Sequence, residues 1–422
     1  MNDENDQLTL SYDLHSLPTA QHKAGLAGLL IMIESMKMRN IQPLPEVRDV
    51  TATTVELVVK PEALQAVFDD LYDAQTVEIE SQSKWSGSPP KRIEERETAA
   101  ENGEVKRKKV YVYDVTQPSG AFLAACYTDG DGLWLKLWRS MMWGILRAIP
   151  KTRGVYQERL TGGRSSQARL AYDSIAKSFQ VASKGRLMTE SLASSLYIGA
   201  QDSNAERVPF QGVPQHNLLL HFWPLVSLIF IPVEISTTGE TKDRGYVIAI
   251  PEPSNIEYFV DDAIEMLRSL DATPRGFRPK AAFIDLPEEG GLEYLHHLAL
   301  HRVEQHDICI ASVEVYHLEK QGNSVRTHAA ERIEVNRSIL DAYESVRGTF
   351  FNPIFKAIRL RNMLAGRPWY AGMDAAFSSY PSELFVYTTG KSSRFSFFGD
   401  DARRTFRSIS QNLQSRKEQK DE

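Results

Sequence analysis

The stretch Leu218 to Val233, "LLLHFWPLVSLIFIPV", restricts this chain most, because its sixteen residues include no Asp, Glu, Lys or Arg. Such a run has to be buried. Its sixteen residues fall short of the roughly 20 that cross a bilayer, and Pro224 and Pro232 break any continuous helix. The run is therefore read as a buried strand pair. A second apolar run, Ala24 to Ile33, has ten residues and is read as core too.

A chain of 422 residues is long enough for two or three modules of ordinary size. Near the start an alternating segment precedes Pro18 and an apolar stripe through Leu26, Leu29, Leu30 and Ile33, which predicts strand then helix. Thr51–Lys60 is β-branched, Pro61–Asp73 has helical periodicity, and Thr76–Glu80 and Lys106–Val115 alternate. Residues 81–105, rich in Gly, Pro, Ser and charge, are expected to form a flexible loop. Two helices are expected between Ser165 and Tyr197. Hairpins are expected around "STTGETKDRG" and "EKQGNSV", and helices over Ile256–Leu270, Leu292–Val303 and the region after Asn336.

The expected class is α+β: a mixed N-terminal α/β module with β-hairpins, then a short, mainly helical C-terminal region. The expected divisions are 1–130, an α+β module; 131–335, a central module with a basic helix and hairpins; and 336–422, a short basic helical region.

Charge is distributed unevenly in this chain of net −6. From Trp134 to Arg169 the cations are Lys136, Arg139, Arg147, Lys151, Arg153, Arg159, Arg164 and Arg169, against the single anion Glu158. Trp134, Leu137, Trp138, Met141, Met142, Ile145 and Leu146 can bury one helix face while Arg139 and Arg147, eight residues apart, stay on a basic one. The Gly-containing segment after Pro150 and the run Lys106, Arg107, Lys108, Lys109 carry further cations. Cations so spaced suit the phosphates of a nucleic acid, while the plain alternative is a solvated charged surface. More basic residues gather at Lys356, Arg359 and Arg361, and at Arg394, Arg403, Arg404 and Arg407. Tryptophans at helical spacing are read as core.

Signals for catalysis are weak. His297 and His301 stand four apart with His306 behind, but no H-E-x-x-H or cysteine cluster accompanies them. Packing on a helix is the simpler reading, and a metal-dependent nuclease or phosphohydrolase using His297, His301 and nearby acids is the alternative of another class. No glycine-rich phosphate fingerprint or nucleophile elbow is present, and "TDGDG" (Asp129, Asp131) and "FFGDDARR" (Asp400, Asp401) read as a turn and a helix start. No cofactor is expected. Cys126 and Cys309, far apart, predict a reducing, cytoplasmic setting without a disulfide, and the acidic start MNDENDQ is unlike a signal peptide.

Four motifs in order carry a resemblance: "LSYDLHSLPTAQHKAGLAGLLIMI", "QPSGAFLA" (Gln117–Ala124), "WLKLWRSMMWGILRAIPKTR" and "FIDLPEEGGLEYL" (Phe283–Leu295). Together they resemble the large subunit of a type I CRISPR Cascade complex, of the MYXAN-type branch, from about residue 8 to about residue 410. The resemblance implies a non-enzymatic subunit that binds double-stranded target DNA at the short PAM and helps hold the strands open. It implies as partners CRISPR RNA, the backbone and foot subunits of the complex, and a helicase-nuclease or, in a second version, transposition proteins. The chain after Asn336 is short for the C-terminal helical bundle of such subunits, so either the bundle is abbreviated or a separate small subunit supplies it as a further partner.

Overall fold

A computed structural model describes residues 7–85, 89–99, 105–127, 132–200, 209–238, 240–300, 307–322, 324–347 and 353–381. In chain order the first elements are β1 (Leu8–Asp13), α1 (Ala20–Met38), β2 (Glu46–Val50), β3 (Thr54–Val59), α2 (Pro61–Leu71), β4 (Ala74–Ser81), β5 (Arg92–Ala99) and β6 (Val105–Pro118). Next come α3 (Ala121–Ala124), α4 (Leu133–Met141), α5 (Gly154–Leu160), α6 (Ser166–Ala182), β7 (Glu190–Ser191), β8 (Gln211–Gly212) and α7 (Pro214–Leu219). Then follow β9 (Leu228–Ile235), β10 (Thr241–Asp243), β11 (Tyr246–Pro253), α8 (Ile256–Ser269), β12 (Pro274–Arg275), β13 (Arg278–Pro279) and β14 (Phe283–Ile284). The described chain closes with α9 (Glu289–Leu300), β15 (Ile310–Gln321), β16 (Ser324–Glu334), α10 (Arg337–Arg347), α11 (Pro353–Leu364) and α12 (Met373–Ser379).

The architecture is α+β, as expected. Sheet order is β1-β3-β2, β4-β6-β5 and, in the largest sheet, β10-β9-β11-β15-β16 with β14 parallel to β9. Helix α1 lies at the centre, against β11, α7, α8 and the turn Trp223–Leu225. It is buried nearly all round, as an apolar helix without a polar stripe has to be. One apolar cluster runs from Leu8 to Leu360, and its packing crosses both expected boundaries, at residues 130 and 335.

Two glycines set how closely α1 meets the apolar run. A Cβ on Gly25 would sit 2.1 Å from the Leu219 carbonyl oxygen, and one on Gly28 would sit 2.1 Å from that of Phe222. The run therefore lies with its backbone directly on α1. It is not the expected strand pair: Pro214 opens the short helix α7, Pro224 sits in a 3-10 turn, and only Leu228 onward is strand. Proline without an N–H fits a first helical turn, and the part of the run before Leu228 is accordingly a helix end followed by turns.

Three further expectations are corrected. The loop expected over 81–105 contains β5, paired with β6 along Arg92↔Val112 to Ala99↔Val105. Its sequence, RIEERETA, conceals a strand because it lies at a sheet edge with charge on it, as exposed edges commonly do. Arg92 and Arg96 reach over β6 to Glu78 and Glu80 of β4, at 2.7 and 2.5 Å. Between Ser165 and Tyr197 there is one long helix, α6, followed by turns and β7. The Trp-rich helix also ends early, passing at Met142 into a π-turn that closes with Arg147 N–H donating to the Met142 carbonyl at 2.7 Å.

Candidate nucleic-acid interface

The cations from Trp134 to Arg169 divide into two groups. On α4 the tryptophans pack inward as expected: Trp134 Nε1 donates to the Asp271 carbonyl at 3.0 Å and Trp138 Nε1 to that of Pro224 at 2.9 Å. Lys136, on the opposite side, is exposed. The π-turn adds a residue to the helical repeat, and so the expected common face for Arg139 and Arg147 does not form.

Arg139 donates through Nε and Nη2 to the Ser119 carbonyl, with Nε at 2.9 Å. Arg147 is 5% exposed. Its Nη1 donates to the Leu146 carbonyl at 3.2 Å and also to that of Ser195, and its guanidinium faces the Tyr72 ring with 6.0 Å to the centroid. Tyr72 OH pairs with His221 Nδ1 at 2.5 Å. Burial, helped by the Arg147 charge, pushes His221 down to about 3, as expected for an imidazole that has lost water beside a cation. Arg153 donates to the carbonyls of Arg147 at 2.9 Å and Trp143 at 3.3 Å and lies 4.2 Å from the Trp143 ring centroid. Burial lowers the pKa of Arg139 and Arg153 from the ordinary guanidinium value.

These three arginines were expected on a DNA-facing track. They instead satisfy carbonyls that the π-turn and neighbouring loops leave without helical partners. Arg147 is buried and Arg139 and Arg153 are half-buried, and removing any of the three would leave these carbonyls without that donor, so they brace the fold.

The loop "GGRSSQ" is similarly occupied. Arg159 donates to the Asp69 carbonyl at 2.9 Å and lies 3.6 Å from the Asp69 carboxylate, which also holds Arg164 at 3.3 Å and accepts from the Ser165 amide at 2.7 Å. Glu158 accepts from the Ser166 amide at 3.1 Å. Two carboxylates thus already fill the positive start of α6, where an incoming phosphate would meet negative charge. Arg164 and Arg169 nevertheless extend outward, 68% and 85% exposed, around a groove of about 330 Å³ that also includes Gln65 and Tyr172. Of their partners, Asp173 forms a surface pair with Arg169 of the kind worth about 0–1 kcal/mol, whereas Asp69 is 16% exposed and held by the Ser165 amide as well.

Lys151 is exposed on the short 3-10 turn Pro150–Arg153. On β6, Lys108 and Lys109 are exposed, with Glu95 opposite Lys109 in the register. Lys106 and Arg107 belong to the same strand. The outward set is therefore Lys108, Lys109, Lys136, Lys151, Arg164 and Arg169. Sequence reading passed over two more exposed cations, Arg275 and Lys280, on a hairpin whose β13 packs against α4. With Arg278 they put three cations within 275–280, but they lie more than a hundred residues from the Trp134–Arg169 cluster on which the charge reading rested.

The other basic cluster changes character as well. Lys356, half-buried, pairs with Asp285 at 2.9 Å and the buried Glu289 at 2.5 Å, while Arg359 lies 5.8 Å from the Phe355 ring centroid. Arg361 is exposed, and Arg394, Arg403, Arg404 and Arg407 lie outside the described residues, as do Asp129, Asp131, Asp400 and Asp401. His297 Nε2 lies 3.3 Å from Glu293, which also takes Arg347 at 2.8 Å. Burial raises the Glu293 carboxyl, but His297 and Arg347 outweigh it and hold it at about 2. His301 and His306 lie outside the described residues. Among the described residues no group of three or more His, Cys, Asp or Glu could hold a metal ion, and no helix is long and apolar enough to cross a membrane.

No curated protein sequence matches the chain closely enough to register. Two family models do match: the type I-B CRISPR Cas8b N-terminal domain over residues 44–307, and the type I-B CRISPR Cas8b C-terminal domain over residues 310–422. Their junction falls between α9 and β15. They support the resemblance to a CRISPR large subunit and place it in type I-B, without extending to the MYXAN-type branch. Since these models span more than half of its length, the chain belongs to the type I-B CRISPR Cas8b family of large subunits.

Proposed function

We propose that this chain is the non-catalytic large subunit of an RNA-guided surveillance complex, binding double-stranded target DNA at the PAM and stabilising its opening for interference. One observation carries the reading: in a chain of net −6, cations of α4, α6, β6 and the 150–153 turn remain outward after the arginines that donate to backbone carbonyls are set aside. Phosphate contacts made by such cations supply grip by counterion release, while pairing with the guide supplies most of the sequence information. An acidic remainder limits non-specific capture of other nucleic acids.

The partners in this reading are CRISPR RNA, the backbone and foot subunits, and a helicase-nuclease that acts on the opened target. Lys106 and Arg107, expected in the DNA-facing set, lie on β6 with side chains outside the description. The pairing of His297 with Glu293 favours a packing role for that histidine over metal hydrolysis.

The test compares complexes assembled with and without this chain on guide-matched, PAM-bearing duplex. Leaving the chain out is expected to weaken binding at least tenfold, equivalent to about 1.4 kcal/mol. Equal affinity without it contradicts the proposal.

A further inference from the structure

Phe277 is 93% exposed, the most exposed large apolar side chain among the described residues. It sits at the tip of a small hairpin in which β12 and β13 pair Pro274↔Pro279 and Arg275↔Arg278. The two-residue loop is Gly276–Phe277, and Gly276 has φ 65°, a backbone region that glycine enters without strain. A proline on each strand fixes φ and stiffens the finger.

The base of the finger is held from several sides. The Lys280 amide donates to the Thr273 carbonyl at 2.7 Å, and Thr273 caps onto Asp271 through its amide at 2.8 Å and its hydroxyl at 2.7 Å. Arg278 pairs with Asp243 at 2.9 Å, and the Arg275 guanidinium lies 4.1 Å from the Phe283 ring centroid. Trp134 of α4 donates to the Asp271 carbonyl. The finger is thus pinned to the helix that carries Lys136, and its ring contributes little to the fold.

We propose that Phe277 stacks on a nucleobase freed from its pair as the target duplex opens, while Arg275 and Lys280 meet the flanking phosphates. This rests on the DNA-binding reading above. An apolar ring on a stiff tip between cations matches a sequence-tolerant base-stacking contact, since every base offers a π-face beside an anionic backbone. A socket on a protein partner would also accept the ring, but would leave Arg275 and Lys280 facing it without a shared purpose.

The experiment uses the assembled complex and guide-matched duplexes with 2-aminopurine placed singly along the target near the PAM. At one position the wild-type complex is expected to quench the fluorescence by stacking. Phe277→Ala is expected to lose that quench and to weaken binding roughly tenfold, and Phe277→Trp to keep both. If quenching and affinity are independent of residue 277 while the complex still binds DNA with steep salt dependence, the inference is overturned and the DNA-binding reading stands. If Phe277→Ala prevents assembly with the other subunits, the ring's partner is protein and the inference is equally overturned. A wild-type complex that does not bind the duplex removes both.

Discussion

Replacing Gly25 and Gly28 together with alanine is expected to abolish the folded state at physiological temperature. Each new Cβ would fall 2.1 Å from a carbonyl oxygen of the 219–222 backbone, and neither oxygen belongs to a side chain that can swing aside. Helix propensity works in the opposite direction, since alanine in a helix interior gains up to about 1 kcal/mol over glycine. Overpacking that shifts backbone costs about 1–3 kcal/mol and occasionally more, and a Cβ 2.1 Å from a backbone oxygen puts these sites at the upper end, so the steric effect wins at each position. The two sites are one helical turn apart and press on one segment, so their costs do not simply add. Even about 4 kcal/mol is a large part of the roughly 5–15 kcal/mol that holds a domain together. Circular-dichroism melting and soluble yield report the outcome. A melting temperature equal to or above the parent's would show that propensity governs, and that α1 does not touch the apolar run as described.

Lys356→Met is expected to cost about 3–5 kcal/mol, the range for stripping one partner from a buried ion pair. The lysine of α11 enters a site formed by Asp285 and Glu289, and Glu289 is 1% exposed. Burial disfavours the Lys356 charge, but the two carboxylates outweigh it and raise its pKa. Around it, Tyr343 of α10 donates to Glu289 at 3.2 Å and also to Glu293, and Arg347 holds Glu293. This polar cluster joins residues on the two sides of the junction between the family models, so its loss should loosen α10 and α11 before the central sheet. Hydrogen exchange should rise in those helices first. The double variant Lys356→Met/Glu289→Gln removes the more deeply buried of the two stranded carboxylates and should recover part of the loss. A single variant as stable as the parent, or a double variant no better than the single, contradicts this role.

What the sequence made legible follows from how local each signal is. The alternation of β1, the β-branched run of β3, the hairpin of β15 and β16, and the helix α8 depend on residues within their own segments, and each was expected near where it stands. The β9–β11 pairing was also legible, although the strand begins at Leu228 and not Leu218. The inward arginines were not legible. Arg139 and Arg147 find carbonyls at Ser119 and Ser195, 20 and 48 residues away, and a charge pattern contains nothing about where unpaired carbonyls lie. Strand β5 was hidden because its charged face is its solvent face. For Gly25 and Gly28 the sequence shows only glycines in a helix, while their meaning lies in a backbone some 194 residues further on. The Phe277 finger did leave a trace, a Gly between prolines in "PRGFRP", which turn chemistry alone could have marked.

The central claim is that one cation-rich region contains two kinds of cation, those that brace the interior and those that meet sugar-phosphate. Its most direct measurement is the salt dependence of target binding by the assembled complex with Lys108, Lys109, Lys136 and Lys151 changed to glutamine. The account predicts an unchanged melting temperature, weaker binding, and a slope of log affinity against log salt that flattens by up to ~0.9 for each phosphate no longer neutralised. Arg147→Met should do the reverse, lowering the melting temperature of the chain while leaving the slope alone. A four-lysine variant that binds with the parent's affinity and slope would contradict the account.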